Sequence, residues 1–443
     1  MQERFRSVLQ QICQEHPDLK FEFQYRFWET DFLRFYNSQV NYNITKSSNS
    51  LDTTIYKGKK SYKFGLYDPD EKKLRQTIQE SIPLLDHLPE DPDFVDLEDN
   101  LEMYPETDKI NNIVHFPIEK KIDILNRIAN AVSVFGFKIY GTFICNYETS
   151  YIVNSNGINK KSQNSPVMLE LKAVSDKNMV TVLETYGSED PDAFNVDAFI
   201  SSLTLKLKNA QQEVIDVEPG NYEVILAPRC IGEFINYLLG SMSASSLDHK
   251  MSYFEDKIDK QVFPSIITLV DDPHYPGIIN FDYNYDGHIY KKLTLIDKGI
   301  FRNFFVNNYF ANKLGMKKNG NAGACIVLET GDKTLEQMIS GVKKGLYISS
   351  LHYMNFINYK ETSITGLTRD GTFLIEDGKL TRVVNNLRFT ERLARILENI
   401  VEIENESYTI PLSENYDEFS INTNRMPHVK VTGFQISSST KTI

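Results

Sequence analysis

Eight histidines are the residues best suited to chemistry in this chain, and their spacing denies the commonest metal arrangement. His16, His87, His115, His249, His274, His288, His352 and His428 are never followed by Glu, and no two lie three to five residues apart. Two imidazoles on adjacent turns of one helix, with a glutamate base beside them, therefore cannot be assembled. His274 and His288 share a stretch with Asp271, Asp272, Asp282 and Asp286. That set has the donors for a cation, but its spacing fits a solvated acidic loop better. Cys13, Cys145, Cys230 and Cys325 contain no C-x-x-C pair, which argues for isolated thiols rather than a zinc ribbon or a disulfide framework. No phosphate-cradling glycine loop and no nucleophile elbow is present. No catalytic residue is assigned from spacing alone. One segment is unusual in composition: Lys317 to Ala324, with Asn319, Gly320, Asn321, Ala322 and Gly323 at its centre. Such small residues let backbones approach closely, in a tight structural turn or around an extended peptide.

The elements that must position these residues read as α+β. Phe5, Val8, Leu9 and Ile12 share one face of an opening helix, and Phe21, Phe23, Tyr25 and Phe27 alternate as a half-buried strand. A helical stretch near 72–85 is followed by an acidic, Pro-containing connection over 86–108. A second unit carries a helix with Ile122, Leu125, Ile128 and Val132, then strands closed at Asn156-Gly157, and a helix over 198–210. In the third unit Pro228 opens a helix bearing Ile231, Phe234, Ile235 and Leu238. Strands follow, with turns expected at Asp286-Gly287, Lys298-Gly299, Asp370-Gly371 and Asp377-Gly378. A last helix is expected to carry Phe389, Leu393, Ile396, Leu397 and Ile400, supported by Glu391 and Arg395. The expectation is an N-terminal unit over 1–108, a middle unit over 109–217, both mixed with antiparallel sheets, and a β-rich unit with a few packed helices over 218–443.

Composition narrows the function. With 443 residues the chain exceeds a single core. Its 41% hydrophobic and 24% charged residues are those of a globular protein. Lys and Arg number 48 against 60 Asp and Glu, a formal charge of −12, with no dense basic run; a nucleic-acid partner is not expected. No stretch approaches a membrane span and the N-terminus lacks the apolar core of a signal peptide, so a cytoplasmic location is expected.

Several ordered blocks resemble one family. APRCIGEFINYLLGSMSASS, VFPSIITLVDDPHYPG, YDGHIYKKLTLIDKGIFRNFFVNNYFANKLG with GNAGA, GLYISSLHY, GTFLIEDGKLTRVVNNLRFTERLARILENI and MPHVKVTGFQISS are similar to the third domain of the PmbA/TldD family, and YIVNSNG to its middle domain. The likeness covers nearly the whole chain and is weakest before residue 110. The resemblance implies a two-subunit peptidase. TldD-type members carry H-E-x-x-x-H on the helix opening the third domain, which binds zinc and supplies a glutamate base. PmbA/TldE-type members lack it and pair with a TldD-type chain acting on unfolded or precursor peptides. Here that helix reads Arg229, Cys230, Ile231, Gly232, Glu233, Phe234. A guanidinium has no free lone pair and a phenyl ring no donor atom, while Glu233 is one residue off the motif. The resemblance thus implies no metal in this chain, zinc in the TldD-type partner, a peptide substrate, and room for a homodimer when the partner is absent. Two other readings differ in class. One is a stand-alone regulatory protein, as the older family label, modulator of DNA gyrase, suggests. The other is an independent hydrolase built on Cys230 or Cys325.

Overall fold

The computed structural model describes residues 2–106, 108–211, 213–279, 282–414 and 420–439. Helix α1 (Gln2–Glu15) buries Val8, Leu9 and Ile12. A long antiparallel ribbon follows, β1 (Lys20–Tyr36) with β2 (Gln39–Lys57), to which β3 (Lys60–Tyr67) adds an edge. Helix α2 (Glu71–Leu85) starts on the Asp70 side chain, which accepts from the Lys73 N–H. After a connecting segment come the short α3 (Asn112–His115) and α4 (Ile118–Ser133), which buries Leu125, Ile128 and Val132. Strands β4 (Phe137–Asn154), β5 (Asn159–Asn164), β6 (Val167–Ser175) and β7 (Thr181–Ser188) then precede α5 (Val196–Ala210).

These strands form one sheet. Its order is β3-β2-β1-β4-β6-β7, with β5 also paired to β4, and every pairing is antiparallel. The boundary expected at 108–109 lies in a connection, but strands on either side of it share one sheet, because β1 pairs with β4 from Glu22↔Asn154 to Phe35↔Gly141. Gly141 is required there: its φ is +149° and a Cβ would strike the Glu170 carbonyl oxygen. Beneath this join the wholly buried Lys121 ammonium is paired with Asp31.

The later part opens with β8 (Gly220–Leu226) and α6 (Pro228–Leu239), which begins at Pro228 as its fixed φ favours. Helix α7 (Ala244–Asp248), β9 (Leu269–Asp271), β10 (Leu293–Asp297), β11 (Ile300–Phe301), α8 (Asn308–Leu314), β12 (Ile326–Leu328) and α9 (Leu335–Ser340) follow. The chain ends through β13 (Lys344–Asn358), β14 (Ser363–Glu376), β15 (Lys379–Val383), β16 (Leu387–Arg392), α10 (Leu393–Glu398), β17 (Ile400–Ile403), β18 (Tyr408–Glu414), β19 (Ser420–Met426) and β20 (Val429–Ser439). One sheet runs β11-β10-β9-β12-β19-β18. The other runs β13-β8-β20-β16-β14-β15, with β14 returning to pair β13 and β17 pairing β20. The architecture is α+β with predominantly antiparallel sheets. No helix among the described residues is long and apolar enough to cross a membrane.

Two local expectations are corrected. Asp370-Gly371 makes no hairpin; both residues have positive φ, +53° and +116°, inside β14, where the register against β13 shifts. This bulge turns the Asp370 carboxylate onto Lys172 of β6 at 2.7 Å and Thr181 of β7 at 2.6 Å, fastening the third unit to the first sheet. The single helix expected over 389–400 is a strand, a short helix and a strand. Phe389 lies in β16 and Ile400 in β17. The Leu393 and Ala394 N–H groups bond to the Thr362 carbonyl and hydroxyl oxygens, which starts α10 at Leu393. The Glu391–Arg395 pair exists at 2.6 Å, but spans a strand end and a helix.

The acidic connection lies along the sheet as a strap. Glu98 and Asn100, as backbone carbonyls, accept from Asn154 and Lys160, and Tyr104 donates through its hydroxyl to the Tyr290 carbonyl. The Lys160 ammonium also reaches the carbonyls of Glu102 and Gly287, so one buried cation joins the strap, β5 and the 284–288 loop.

Candidate functional site

Helix α6 separates the four motif positions by their phase. Residues 229 and 233 are one turn apart and partly buried, with Arg229 lining a cleft; 230 and 234, one turn apart and about 100° further round the helix, are wholly buried. Arg229 bonds to Glu233 at 3.1 Å and reaches Glu170 of β6 at 3.2 Å. Burial raises the Glu233 carboxyl pKa to about 7, and the Arg229 guanidinium only partly offsets this. Cys230 is wholly buried, its thiol against the Ile348 carbonyl oxygen at 3.2 Å, and burial pushes its pKa well above the ordinary range. Phe234 is wholly buried, edge-on to Phe389 with centroids 5.7 Å apart. The position that lines the cleft thus holds a guanidinium, bonded to the carboxylate one turn on; Cys230 and Phe234 belong to the core. These side chains do not fit a zinc ion, which needs three or four lone-pair donors turned to one point. Among the described residues no cluster of three or more His, Cys, Asp or Glu is arranged to hold a metal.

His274 and His288 are held by different partners. The His274 ring packs edge-on to Tyr104, with centroids 4.8 Å apart. His288 Nδ1 meets Glu98 Oε2 at 3.1 Å, and Lys318 reaches the same oxygen at 2.7 Å. The loop around them is not a solvated acidic loop. Asp271 is 2% exposed and accepts from the Gly323 and Cys325 N–H groups and from Asn321 Nδ2.

Those bonds decide where the small-residue loop stands. Asn319 bonds through its side chain to Val306 N–H and the Phe304 carbonyl. Gly320 has φ +70° and lies so close to the His288 ring that any Cβ would collide. Asn321 is buried on Asp271 and the Lys291 carbonyl, and Gly323, at φ +78°, lies near Phe305 and Leu239. Ala322 alone of the five is exposed.

The cleft in front of α6 has a volume of about 600 Å³ and lies between β7 with α5 on one side and β13, β18 and β19 on the other. It holds polar groups that spacing did not single out. Tyr347 and His428 Nε2 share a hydrogen bond of 3.0 Å, and His428 Nδ1 meets Glu404 Oε2 at 2.6 Å. Bonds from His428 hold the Glu404 carboxyl below its usual range against the effect of burial. Burial raises Tyr347 to about 12. Lys206 lies 2.8 Å from Glu184; burial disfavours its ammonium, but the carboxylate outweighs this and its pKa rises to about 12. No local pattern marks these residues, because Tyr347, Glu404 and His428 come from three separate segments.

The fold and the site define a class before they define a family. The same three-dimensional arrangement is found in TldE from Thermococcus kodakarensis, with a TM-score of 0.85 and 18% identity over 97% of this chain and 100% of that one. A chain from Thermotoga maritima described as a modulator of a DNA gyrase gives 0.85 at 15% identity, over 99% and 100%. In sequence, residues 219–438 match the PmbA/TldA metallopeptidase C-terminal domain. Metalloprotease PmbA of Escherichia coli is 26% identical over 42% of this chain and 41% of its own length. The zinc metalloprotease TldD homolog of Saccharolobus solfataricus is 24% identical over 55% and 60%. The chain thus spans about half the length of the curated relatives it matches. The chain belongs to the PmbA/TldD metallopeptidase family.

Proposed function

We propose that this chain is the PmbA/TldE-type, non-catalytic half of a two-subunit zinc peptidase of the cytoplasm. A TldD-type sister chain supplies the metal, and this chain shapes the chamber and binds unfolded or precursor peptides. The observation that carries the reading is the Glu170–Arg229–Glu233 ion triad, which holds a fixed cation in the cleft lining where the family's peptidase motif would place a ligand. A guanidinium has no lone pair to offer a divalent ion and occupies the carboxylates nearest to it. The test is cleavage of an unfolded peptide by the purified chain, alone and mixed with a TldD-type chain. The reading expects no cleavage by the lone chain and chelator-sensitive cleavage by the pair. Chelator-sensitive cleavage by the lone chain would refute it.

A further inference from the structure

The charged lining of the cleft before α6 is uneven. Three fixed cations, Lys206, Arg229 and Arg425, face one carboxylate, Glu184, in a chain whose net charge is −12. Two of the cations are satisfied from within: Lys206 by Glu184, and Arg229 by Glu170 and Glu233. Arg425 is not. Its guanidinium donates to Thr409 Oγ1 at 2.9 Å, to the Ser407 carbonyl at 2.6 Å and to Ser407 Oγ at 2.9 Å, all neutral acceptors. Its Nε is buried without a partner, and no carboxylate among the described residues forms an ion pair with it. Burial pulls its pKa down from the ordinary value, so the charged form is held at a cost. A half-buried guanidinium that meets no carboxylate among the described residues, in so acidic a protein, marks a place for an anion from outside.

The surroundings narrow the anion. The same lining includes an apolar wall of Phe194, stacked on Tyr186 at 4.1 Å, with Phe199, Leu335, Ile339 and Leu380. A free inorganic anion would leave that wall unused; a carboxylate joined directly to an apolar side chain would use both. Beside Gly187 of the cleft lining the edge strands β7 and β18 close on each other, so that a Cβ there would come 2.9 Å from the Pro411 ring. Such a closure leaves less room for a chain that passes through than for one that ends in the cleft. We infer that the cleft captures the C-terminus of a peptide, with Arg425 taking the terminal carboxylate and the apolar wall taking the last side chain. The inference rests on the peptide-binding role proposed above and adds to it which part of the peptide is held.

The experiment is calorimetric titration of the full chain with three unstructured peptides of one length. One ends in phenylalanine with a free carboxylate, one is its C-terminal amide, and one is an amide carrying an internal glutamate. The free acid is expected to bind about tenfold or more tighter than either amide, the difference expected when a charge-assisted pair is lost. Arg425→Gln should remove that preference, and Arg425→Lys, which keeps the charge but not the fork, should retain part of it. Equal binding of acid and amide overturns the carboxylate site while leaving peptide binding intact. An internal-glutamate amide that binds as tightly as the free acid overturns the terminal assignment. Failure of all three peptides to bind overturns the site together with the peptide-binding role. Should Arg425→Gln lose the native circular dichroism spectrum, the acid-to-amide ratio on the unaltered chain decides.

Discussion

Glu233 shows how burial and pairing compete at a single residue. Its carboxyl lies beside Arg229, yet burial dominates and its pKa rises to about 7, above the value near 4.5 of an exposed glutamate. The folded chain therefore holds this proton over a range in which the unfolded chain has lost it. The stability this group contributes is fully present below about pH 4.5 and is lost as pH rises towards 7. The effect is of the order of 3 kcal/mol. Glu233→Gln, neutral at every pH, should flatten the pH dependence of the melting temperature across that window, and the gain should be largest near neutrality. Melting curves at pH 5 and pH 7.5 measure it; an unchanged slope between the two would mean that Arg229 keeps Glu233 ionised throughout. Cys230 and Phe234 teach the complementary lesson. Their types named them as absent ligands, while their helical phase, which follows from Ile231, Ile235 and Leu238 facing the same core, makes them packing residues.

At the scale of elements, the strap over residues 88–111 is the least regular part of the chain and the most informative about how its parts are joined. Glu98, with its side chain wholly buried, accepts from His288, Lys318 and the Asn100 N–H; together they overcome burial and hold its pKa down to about 2. The sign is opposite to that of Glu233. The stability is present above about pH 4.5 and fades as pH falls towards 2. Glu98→Gln should loosen the strap at neutral pH, raising the rate of limited proteolysis within 88–111 about tenfold, since cleavage follows the population of the open form. An unaltered cleavage rate would place the strap's anchorage in Lys160 and Tyr104 instead. Composition made this segment legible as a surface-hugging connection. Its anchors were not, because Lys160 and His288 lie far along the chain and an acidic, Pro-containing run carries no periodicity. The same limit explains the two corrected elements. Asp370-Gly371 has the composition of a hairpin, but its partner contacts, Lys172 and Thr181, lie in another sheet. Phe389 and Ile400 fit a helical stripe, but Thr362 supplies the bonds that start the helix later.

Across the whole molecule, the strands and helices with strong local signals were legible: the alternation of Phe21 to Phe27, the amphipathic α4 and the Pro228-led α6. Their assembly was not, since the β1–β4 pairing joins segments more than a hundred residues apart. One apolar core takes Phe35 from the first ribbon, Leu203 from α5 and Phe373 from β14, so the units share their interior. The cleft residues Tyr347, Arg425 and His428, with Glu404 bonded to His428, come together only through that assembly, which is why the histidine spacing gave no hint of them. It is this shared frame that fixes Glu170 of the first sheet against Arg229 of α6. The most direct test is the zinc content of the purified chain, measured by mass spectrometry after exposure to excess zinc and removal of the unbound metal, alone and again with a TldD-type chain. Substoichiometric zinc is expected in the lone chain and about one tightly held zinc per pair. About one zinc per lone chain, lost when Glu233 or Cys230 is replaced by alanine, would contradict it.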